Sequence, residues 1–184
     1  MHWYSTPADE SDMPMSSEHE RRAREETPAT INCGILSISD TRTTDTDTSG
    51  SVIRSLLEAQ GYTVTRSAIV KDEPSLIVEH VAKMASAGCQ GIVTNGGTGI
   101  TRPDSTYEAI ASLLDKQLPG FGELFRMLSY EDVGAAAMLS RATAGTYRDS
   151  LIFCLPGSPG AVRLALEKLI LPQLRHLVWE LIRQ

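Results

Sequence analysis

The residues best suited to chemistry lie in one stretch, Thr94–Thr106, which reads T-N-G-G-T-G-I-T-R-P-D-S-T. It follows the apolar run Gly91–Val93, typical of a buried strand, and it precedes apolar residues at helical spacing in Tyr107–Leu114. Glycines at such a turn adopt positive φ angles and carry no Cβ that would block a ligand. Because successive exposed amides form a concave anion site, the turn is predicted to bind phosphate. The binding residues would be Gly96, Gly97, Thr98 and Gly99.

Acidic residues follow each of the first three predicted strands. Asp40 comes after Ile31–Ser39, Asp72 after Tyr62–Val70, and Asp104 ends the glycine-rich stretch. Ligands of parallel α/β sheets bind outside the carboxyl ends of the strands, so these carboxylates are expected at one edge. Carboxylate oxygens are ligands that Mg²⁺ prefers. The pattern predicts a metal-assisted phosphate site. The alternative is that these aspartates are ordinary loop residues.

Two further interpretations of these loops stay open. The glycine-rich stretch is also compatible with a plain strand-to-helix turn that is capped by Asp104 or Ser105. Its spacing matches neither G-x-G-x-x-G nor G-x-x-x-x-G-K-[ST], so neither a Rossmann nor a P-loop site is indicated. Near the C-terminus, Pro156–Gly160 begins another helix, and Ser158 is either a simple N-cap or part of a second anion site.

Helices are predicted between the strands that position these loops. The first begins at Ser49 or Gly50 and ends at Gln60, where Gly61 stops it. Alternating strands and helices with short connections predict a mostly parallel sheet covered by helices on both faces. The other predicted helices are Ser75–Ala87, Tyr107–Leu114, Glu123–Tyr130 after a turn at Leu118–Gly122, and a short packed helix at Val133–Leu139.

The C-terminal part of the chain is predicted to contain a strand pair and a long helical stretch. Ala142–Tyr147 and Leu151–Leu155 are expected to form a hairpin or neighbouring strands. Ala161–Ile182 has more apolar residues than one narrow helix face needs, which indicates deep burial or a subunit contact. Pro172 is expected to kink this stretch or to start a second segment.

Composition excludes several classes of function. The chain has 184 residues and a net charge of −6, which suits one domain and offers no basic nucleic-acid footprint. Its three cysteines form no C-x-x-C motif, and Cys33 and Cys154 are predicted to be core thiols in a reducing compartment. The four histidines form no H-E-x-x-H metal motif. The sequence also has no apolar run long enough to span a membrane and no apolar signal-peptide region, so a cytoplasmic location is expected.

The first 29 residues differ in composition from the rest. Residues 1–29 contain seven acids and three arginines and few apolar residues. Such a segment buries too little apolar surface to offset the entropy of ordering it. We therefore predict a disordered polar tail at 1–29 and a folded domain at 30–184.

Five motifs in order resemble one family. They are S-I-S-D at Ser37–Asp40, the glycine-rich stretch, P-G-F-G at Pro119–Gly122, L-S-R-A-T-A-G at Leu139–Gly145, and L-P-G-S-P at Leu155–Pro159. A lone G-G-T-G is a weak signal, but five ordered motifs are a strong one. From about Ile31 to the end, the chain resembles the molybdopterin-binding proteins of molybdenum-cofactor biosynthesis, the MogA/MoaB type.

The resemblance implies a three-layer α/β fold and a homotrimer, or a hexamer of two trimers. It also implies an activity, the transfer of AMP from Mg-ATP to the terminal phosphate of molybdopterin, giving adenylyl-molybdopterin and pyrophosphate. Mg²⁺ would be the cofactor, and ATP and molybdopterin the substrates. Two other functions remain possible at this point: a non-catalytic molybdopterin binder or carrier, and an assembly protein whose C-terminal helices recruit other enzymes of the pathway.

Site residues carried over from the resemblance follow its motifs. Asp72 and Asp104 are the implied catalytic and Mg²⁺-binding carboxylates, and Gly96–Gly99 hold phosphates. Implied binding residues in the other motifs are Ser39, Asp40, Ser140, Arg141, Pro156, Gly157 and Ser158. The chain departs from the family in two places. Pro103 precedes Asp104 where the family often has arginine, and Ser158 stands where it often has an amide side chain.

Overall fold

One six-stranded sheet forms the centre of the computed structural model, which describes residues 30–183. The predicted tail at residues 1–29 lies outside the described residues. In chain order the strands are β1 (Asn32–Ile38), β2 (Thr63–Val70), β3 (Gly91–Asn95), β4 (Lys116–Gln117), β5 (Thr143–Tyr147) and β6 (Ser150–Leu155).

The order of the strands creates a switch point in the middle of the sheet. Across the sheet they run β2-β1-β3-β6-β5-β4. Strands β2, β1, β3 and β6 are parallel, whereas β5 is antiparallel to β6 and β4 to β5. The chain leaves β1 toward β2 on one side and returns to β3 on the other. The carboxyl ends of β1 and β3 therefore border a crevice, the usual ligand position in such sheets.

Helices cover both faces of this sheet. They are α1 (Thr48–Ala59), α2 (Pro74–Ser86), α3 (Thr106–Leu113), α4 (Pro119–Val133), α5 (Pro159–Ala165) and α6 (Leu171–Ile182). A 3₁₀ helix at Gly134–Leu139 follows α4, and a π-helical turn at Leu166–Ile170 joins α5 to α6. The predicted three-layer, mostly parallel α/β fold is confirmed.

Successive side chains of the central strands point to opposite faces of the sheet and so contribute to two separate hydrophobic cores. Phe153 of β6 faces the cluster with α1, α4, α5 and α6, while Ile152 beside it faces the cluster with α2 and α3. Strand β1 alternates in the same way, with Ile35 on the first face and Leu36 on the second. This period of two is what a sheet buried on both faces requires.

The long apolar stretch at the C-terminus is explained by burial within the chain. Val162, Leu166, Ile170, Leu174 and Val178 are all buried in the first core. The stretch is interrupted, as predicted, but the break is the π turn at Leu166–Ile170 and lies before Pro172. That proline occupies the first turn of α6, so the prediction that it starts a second segment is confirmed.

Several sequence expectations need correction. Helix α4 begins at Pro119, four residues before the predicted start at Glu123. In the segment predicted as a packed helix, Val133–Leu139, Val133 ends α4 and Gly134–Leu139 form a 3₁₀ helix, with Met138 77% and Leu139 54% exposed. Strand β4 was missed because two exposed residues carry no periodicity. No helix within residues 30–183 is long and apolar enough to cross a membrane.

The three cysteines are free thiols inside the cores, as predicted for Cys33 and Cys154. Burial raises the pKa of Cys33 and Cys154 to about 12, so both stay protonated at neutral pH. Since the thiolate is the reactive form, these residues are chemically inert in the folded state.

We expect that Cys33, Cys89 and Cys154 do not react with a thiol reagent in the native protein and that all three react on unfolding. Titration with a chromogenic disulfide reagent at pH 8, with and without guanidinium, measures this. The denatured sample is the control and should yield three thiols per chain. A thiol that reacts fast in the native protein would contradict the buried placement.

Candidate functional site

A cavity of about 480 Å³ opens at the carboxyl ends of β1, β3 and β6, the switch point of the sheet. The loop after β1, the glycine loop after β3 and the loop after β6 form its walls, and the 3₁₀ helix closes one side. The lining residues are Ile38, Ser39, Thr41, Arg42, Gly96, Gly97, Thr98, Gly99, Asp104, Leu139, Ser140, Pro156 and Gly157. Nine of the residues implied by the sequence thus meet in one place.

The glycine loop turns sharply at Gly96 and Gly97, whose φ angles are 103° and 63°. A Cβ on Gly96 would lie 2.2 Å from the carbonyl oxygen of Ile38, and one on Gly97 would lie 2.2 Å from Oδ2 of Asp72. Both positions therefore require glycine. The amides of Gly97 and Thr98 donate to no acceptor within residues 30–183, so they are available to a phosphate oxygen.

Arg42 supplies a cation to the cavity wall. Its Nη2–H donates to the carbonyl oxygen of Gly157 at 2.8 Å, and its Nη1–H donates to Oδ1 of Asn95 at 3.4 Å. No other arginine or lysine among the described residues lines this cavity. Sequence analysis missed Arg42, although it lies two residues after Asp40 in the loop where a ligand was expected.

A hydrogen-bonded network beneath the cavity fixes these loops to one another. Asp47 is buried, and its Oδ1 accepts the Gly50 amide at 2.9 Å, which caps α1. Its Oδ2 accepts the Ser37 hydroxyl, whose oxygen accepts Nδ2–H of Asn95 at 2.9 Å. Arg42 lies 3.7 Å from Oδ1 of Asp47 and completes the network. The ends of β1 and β3 and the start of α1 are thereby joined.

Asp72 lies behind the glycine loop and does not line the cavity. Its Oδ1 accepts the amide and hydroxyl of Ser105 at 3.1 and 2.7 Å, and the Thr106 hydroxyl lies at 3.5 Å. The amino end of α3 is thus capped from the loop after β2, whereas Ser105 makes no side-chain cap of its own. Oδ2 of Asp72 accepts no hydrogen bond from residues 30–183.

Asp104 lines the cavity, and its carboxylate folds back over its own turn. Oδ2 accepts both the amide of Thr101, at 3.0 Å, and the Thr101 hydroxyl. The hydroxyl bond is the main reason that the pKa of Asp104 is lowered, with smaller contributions from the Thr101 and Gly99 amides and from Arg141. The carboxylate is therefore charged at neutral pH.

The donor chemistry of this pair suits Mg²⁺. No group of three His, Cys, Asp or Glu side chains among residues 30–183 is arranged to hold a metal ion. However, Asp72 and Asp104 both offer carboxylate oxygens beside the glycine loop, and Oδ2 of Asp72 accepts no hydrogen bond from the described residues. Since Mg²⁺ commonly takes one or two carboxylates together with substrate phosphates and water, the residues fit the ion.

Three other implied residues point away from the cavity. The Ser158 hydroxyl accepts the Ala161 amide and caps α5. Asp40 is exposed, and its Oδ1 accepts the amide of Asp72 at 3.4 Å. The side chain of Arg141 reaches the carbonyl oxygens of Thr98 and Gly99 on the glycine loop. Ser140 lines the cavity as expected.

A larger hollow of about 610 Å³ lies at the opposite edge of the sheet, beside Asn32, Gln90 and Arg148. Its one glycine among the described residues, Gly88, donates its amide to the carbonyl oxygen of Ala85, so that amide is not free for a ligand. The arrangement of donors, and not the volume, identifies the smaller cavity as the candidate site.

Comparison with known proteins agrees with this geometry. Residues 34–176 match the family described as the probable molybdopterin binding domain. The chain is 54% identical over 163 residues to molybdenum cofactor biosynthesis protein B of Halalkalibacterium halodurans, covering 87% of this chain and 95% of that protein. It belongs to this molybdopterin-binding family. The resemblance seen in the five sequence motifs is confirmed.

Solved structures of this molybdopterin-binding family share the fold. A crystal structure of molybdenum cofactor biosynthesis protein B superposes with a TM-score of 0.83 at 52% identity, covering 85% of this chain and 99% of that chain. The tungsten cofactor synthesizing protein MoaB from Pyrococcus furiosus gives 0.76 at 37% identity, with coverages of 83% and 98%. The family resemblance therefore extends over nearly the whole length of both relatives.

Asp47 should be the residue of the network on which stability depends most. We expect Asp47→Ala to lower the free energy of unfolding by about 2–4 kcal/mol, since it removes a helix cap and leaves buried polar partners unpaired. Asp47→Asn is the matched control, because its amide oxygen still accepts the Gly50 amide, and it should cost less. Urea unfolding measures both. An Ala variant as stable as wild type would contradict this role.

Proposed function

We propose that the protein acts in molybdenum-cofactor biosynthesis as a molybdopterin adenylyltransferase. The observation that carries the proposal is the cavity at the switch point, where the free amides of the glycine loop lie beside Asp72 and Asp104. The names of the relatives place them in the same pathway. The substrates would be ATP and molybdopterin.

The proposed reaction is a displacement at the α-phosphorus of ATP. An oxygen of the terminal phosphate of molybdopterin forms a bond to this phosphorus. The bond from the phosphorus to the bridging oxygen breaks, and pyrophosphate leaves with that oxygen. Such a transfer needs little covalent help from a protein, because positioning and electrostatic stabilisation supply most of the rate enhancement.

The residues of the cavity provide both contributions. The amides of Gly97 and Thr98 would hold phosphate oxygens, and Arg42 adds a positive charge to the cavity wall. Asp72 and Asp104 would hold Mg²⁺, which supplies charge neutralisation on the phosphates when bound. Leu139 and Ser140 form a separate wall, where the pterin would lie.

A second candidate function is a non-catalytic molybdopterin carrier. The observation in its favour is that both carboxylates already have partners in the chain: Asp72 caps α3, and Asp104 accepts two bonds from Thr101. A carrier would bind a phosphate through the loop amides and would need no metal. Formation of adenylyl-molybdopterin from ATP, with and without Mg²⁺, separates the two functions.

We expect Asp104→Asn and Asp72→Asn to fold normally and to lose adenylyl transfer by at least about 100-fold, a typical loss for an essential electrostatic group. Asparagine preserves the shape and, at position 72, an oxygen for the Ser105 amide. Single-turnover assays and thermal melts measure both effects. Asp149→Asn, exposed at the opposite edge of the sheet, is the matched control and should remain active. Normal turnover in folded Asp104→Asn would favour the carrier.

The same proposal includes a homotrimer or a hexamer in the cytoplasm. The surface suited to self-association is not α6, which is used in the core, but the exposed apolar side chains of α4 and the 3₁₀ helix. These are Leu124, Met127, Tyr130, Val133, Met138 and Leu139, between 47% and 77% exposed. Contiguous exposed apolar surface of this kind commonly marks a protein contact.

Light scattering at micromolar concentration should give the mass of three or six chains. We expect Met138→Lys to reduce this mass without unfolding the chain, because its side chain is exposed. Leu177→Lys is the contrasting variant: Leu177 packs against the core, and a charge there should lower the melting temperature instead. A stable monomer of the wild-type protein would rule out the assembly.

A further inference from the structure

We propose that Arg141 is a positioning residue for the glycine loop, held in place by Glu108 and Tyr107, and that it does not contact substrate. We call these three side chains the loop clasp. The inference deepens the proposed function and rests on it in one respect, namely that the glycine loop binds phosphate.

The contacts of Arg141 account for all three of its side-chain nitrogens. Nε–H donates to the carbonyl oxygen of Thr98 at 3.0 Å, and Nη2–H donates to that of Gly99 at 2.6 Å. Nη1–H and Nη2–H also donate to the two carboxylate oxygens of Glu108 in a bidentate pair. The guanidinium lies over the ring of Tyr107, 5.1 Å from its centroid. Four of the five N–H donors of the guanidinium are therefore used by partners within residues 30–183.

Two consecutive carbonyls held by one guanidinium fix two peptide planes. In a trans peptide the N–H points opposite to the C=O. Because the Thr98 oxygen points to Arg141, the amide of Gly99 points away from it, toward the carboxylate of Asp104. Because the Gly99 oxygen also accepts from Arg141, the amide of Ile100 points away from that side chain. Arg141 thus sets the direction of the amides at the end of the loop.

Glu108 and Tyr107 determine where the guanidinium sits. Both belong to the first turn of α3, so the clasp ties the glycine loop to the helix that follows it. The bidentate pair has a fork geometry that a lysine cannot reproduce. Hydrogen bonding to Arg141 is the main reason that the pKa of Glu108 is lowered, so the pair is charged at neutral pH.

Arg141 also connects the two walls of the cavity. It follows Ser140, which lines the cavity together with the glycine loop, and precedes β5. A change in the clasp would therefore alter the distance between the phosphate side and the proposed pterin side. The alternative is that Arg141 leaves these partners and contacts the substrate directly. The two roles predict different effects of removing Glu108.

Hydrogen exchange of the ligand-free protein tests the clasp without any assumption about activity. In Arg141→Lys and Glu108→Gln, peptides that span residues 97–104 should exchange about tenfold faster, since hydrogen bonds to a charged group are lost. The amides of Thr101 and Asp104, which are bonded inside the loop, should report this. Glu58→Gln breaks a comparable exposed pair with Arg54 and is the matched control.

Calorimetric binding of inorganic pyrophosphate tests the consequence for the ligand. We expect Glu108→Gln and Arg141→Lys both to weaken binding by about three- to tenfold. Thermal midpoints should stay close to wild type because solvent reaches the ion pair, in which the Glu108 side chain is 60% and the Arg141 side chain 26% exposed. The KM for ATP should rise by a similar factor while kcat changes little. A higher KM with an unchanged kcat would distinguish a positioning role of Arg141 from a general loss of structure.

Two results would overturn the inference. One is exchange of residues 97–104 that stays at the wild-type rate in both variants. The other is weaker pyrophosphate binding in Arg141→Lys but unchanged or tighter binding in Glu108→Gln, which would make Arg141 a direct ligand contact. If the wild-type protein binds neither pyrophosphate nor ATP, the proposed function is wrong. The hydrogen-exchange measurement would still show whether the loop clasp holds the glycine loop in place.

Discussion

The carboxylate of Asp47 is the interaction on which the shape of the candidate site depends. A buried charge is costly unless it is hydrogen-bonded, and this one accepts bonds from Ser37 and the Gly50 amide and lies beside Arg42. Each partner belongs to a different part of the site. Because the carboxylate must be satisfied, the end of β1, the start of α1 and the cavity cation take fixed relative positions. Asn95 extends the same constraint to β3, directly before the glycine loop.

The chain shows how an acidic protein can present an anion site. Its net charge is −6, yet the part of the cavity formed by residues 30–183 combines backbone amides with one guanidinium, that of Arg42. Amide dipoles act over a few ångströms, whereas exposed surface charges are screened by salt beyond about 10 Å. The local arrangement therefore outweighs the overall charge. Arg141, by contrast, lies outside the cavity lining, pairs with Glu108 and donates hydrogen bonds to the carbonyl oxygens of the glycine loop.

Sequence reasoning recovered the fold and much of the cavity wall because both rest on local patterns. Periodicity identified the central strands and helices, and the glycine turn follows from positions where a Cβ would collide, as at Gly96. It missed features that depend on contacts distant in the chain. The cap that Asp72 provides for α3 joins residues 33 positions apart. The bond from Arg42 to Gly157 joins residues 115 positions apart. Asp47 was overlooked because the start of α1 was placed one or two residues late.

The π-helical turn at Leu166–Ile170 makes the length of the C-terminal segment a structural requirement. A π turn holds one residue more than an α turn, and each residue of a helix turns its successors by about 100°. With that extra residue, Leu166 and Ile170 before α6, and Leu174 and Val178 within it, all face the same core. Loss of a single residue here would rotate α6 by about 100° and turn Leu174 and Val178 away from their positions in the core. Insertions and deletions among relatives should therefore be tolerated in the surface loops and be selected against between α5 and α6.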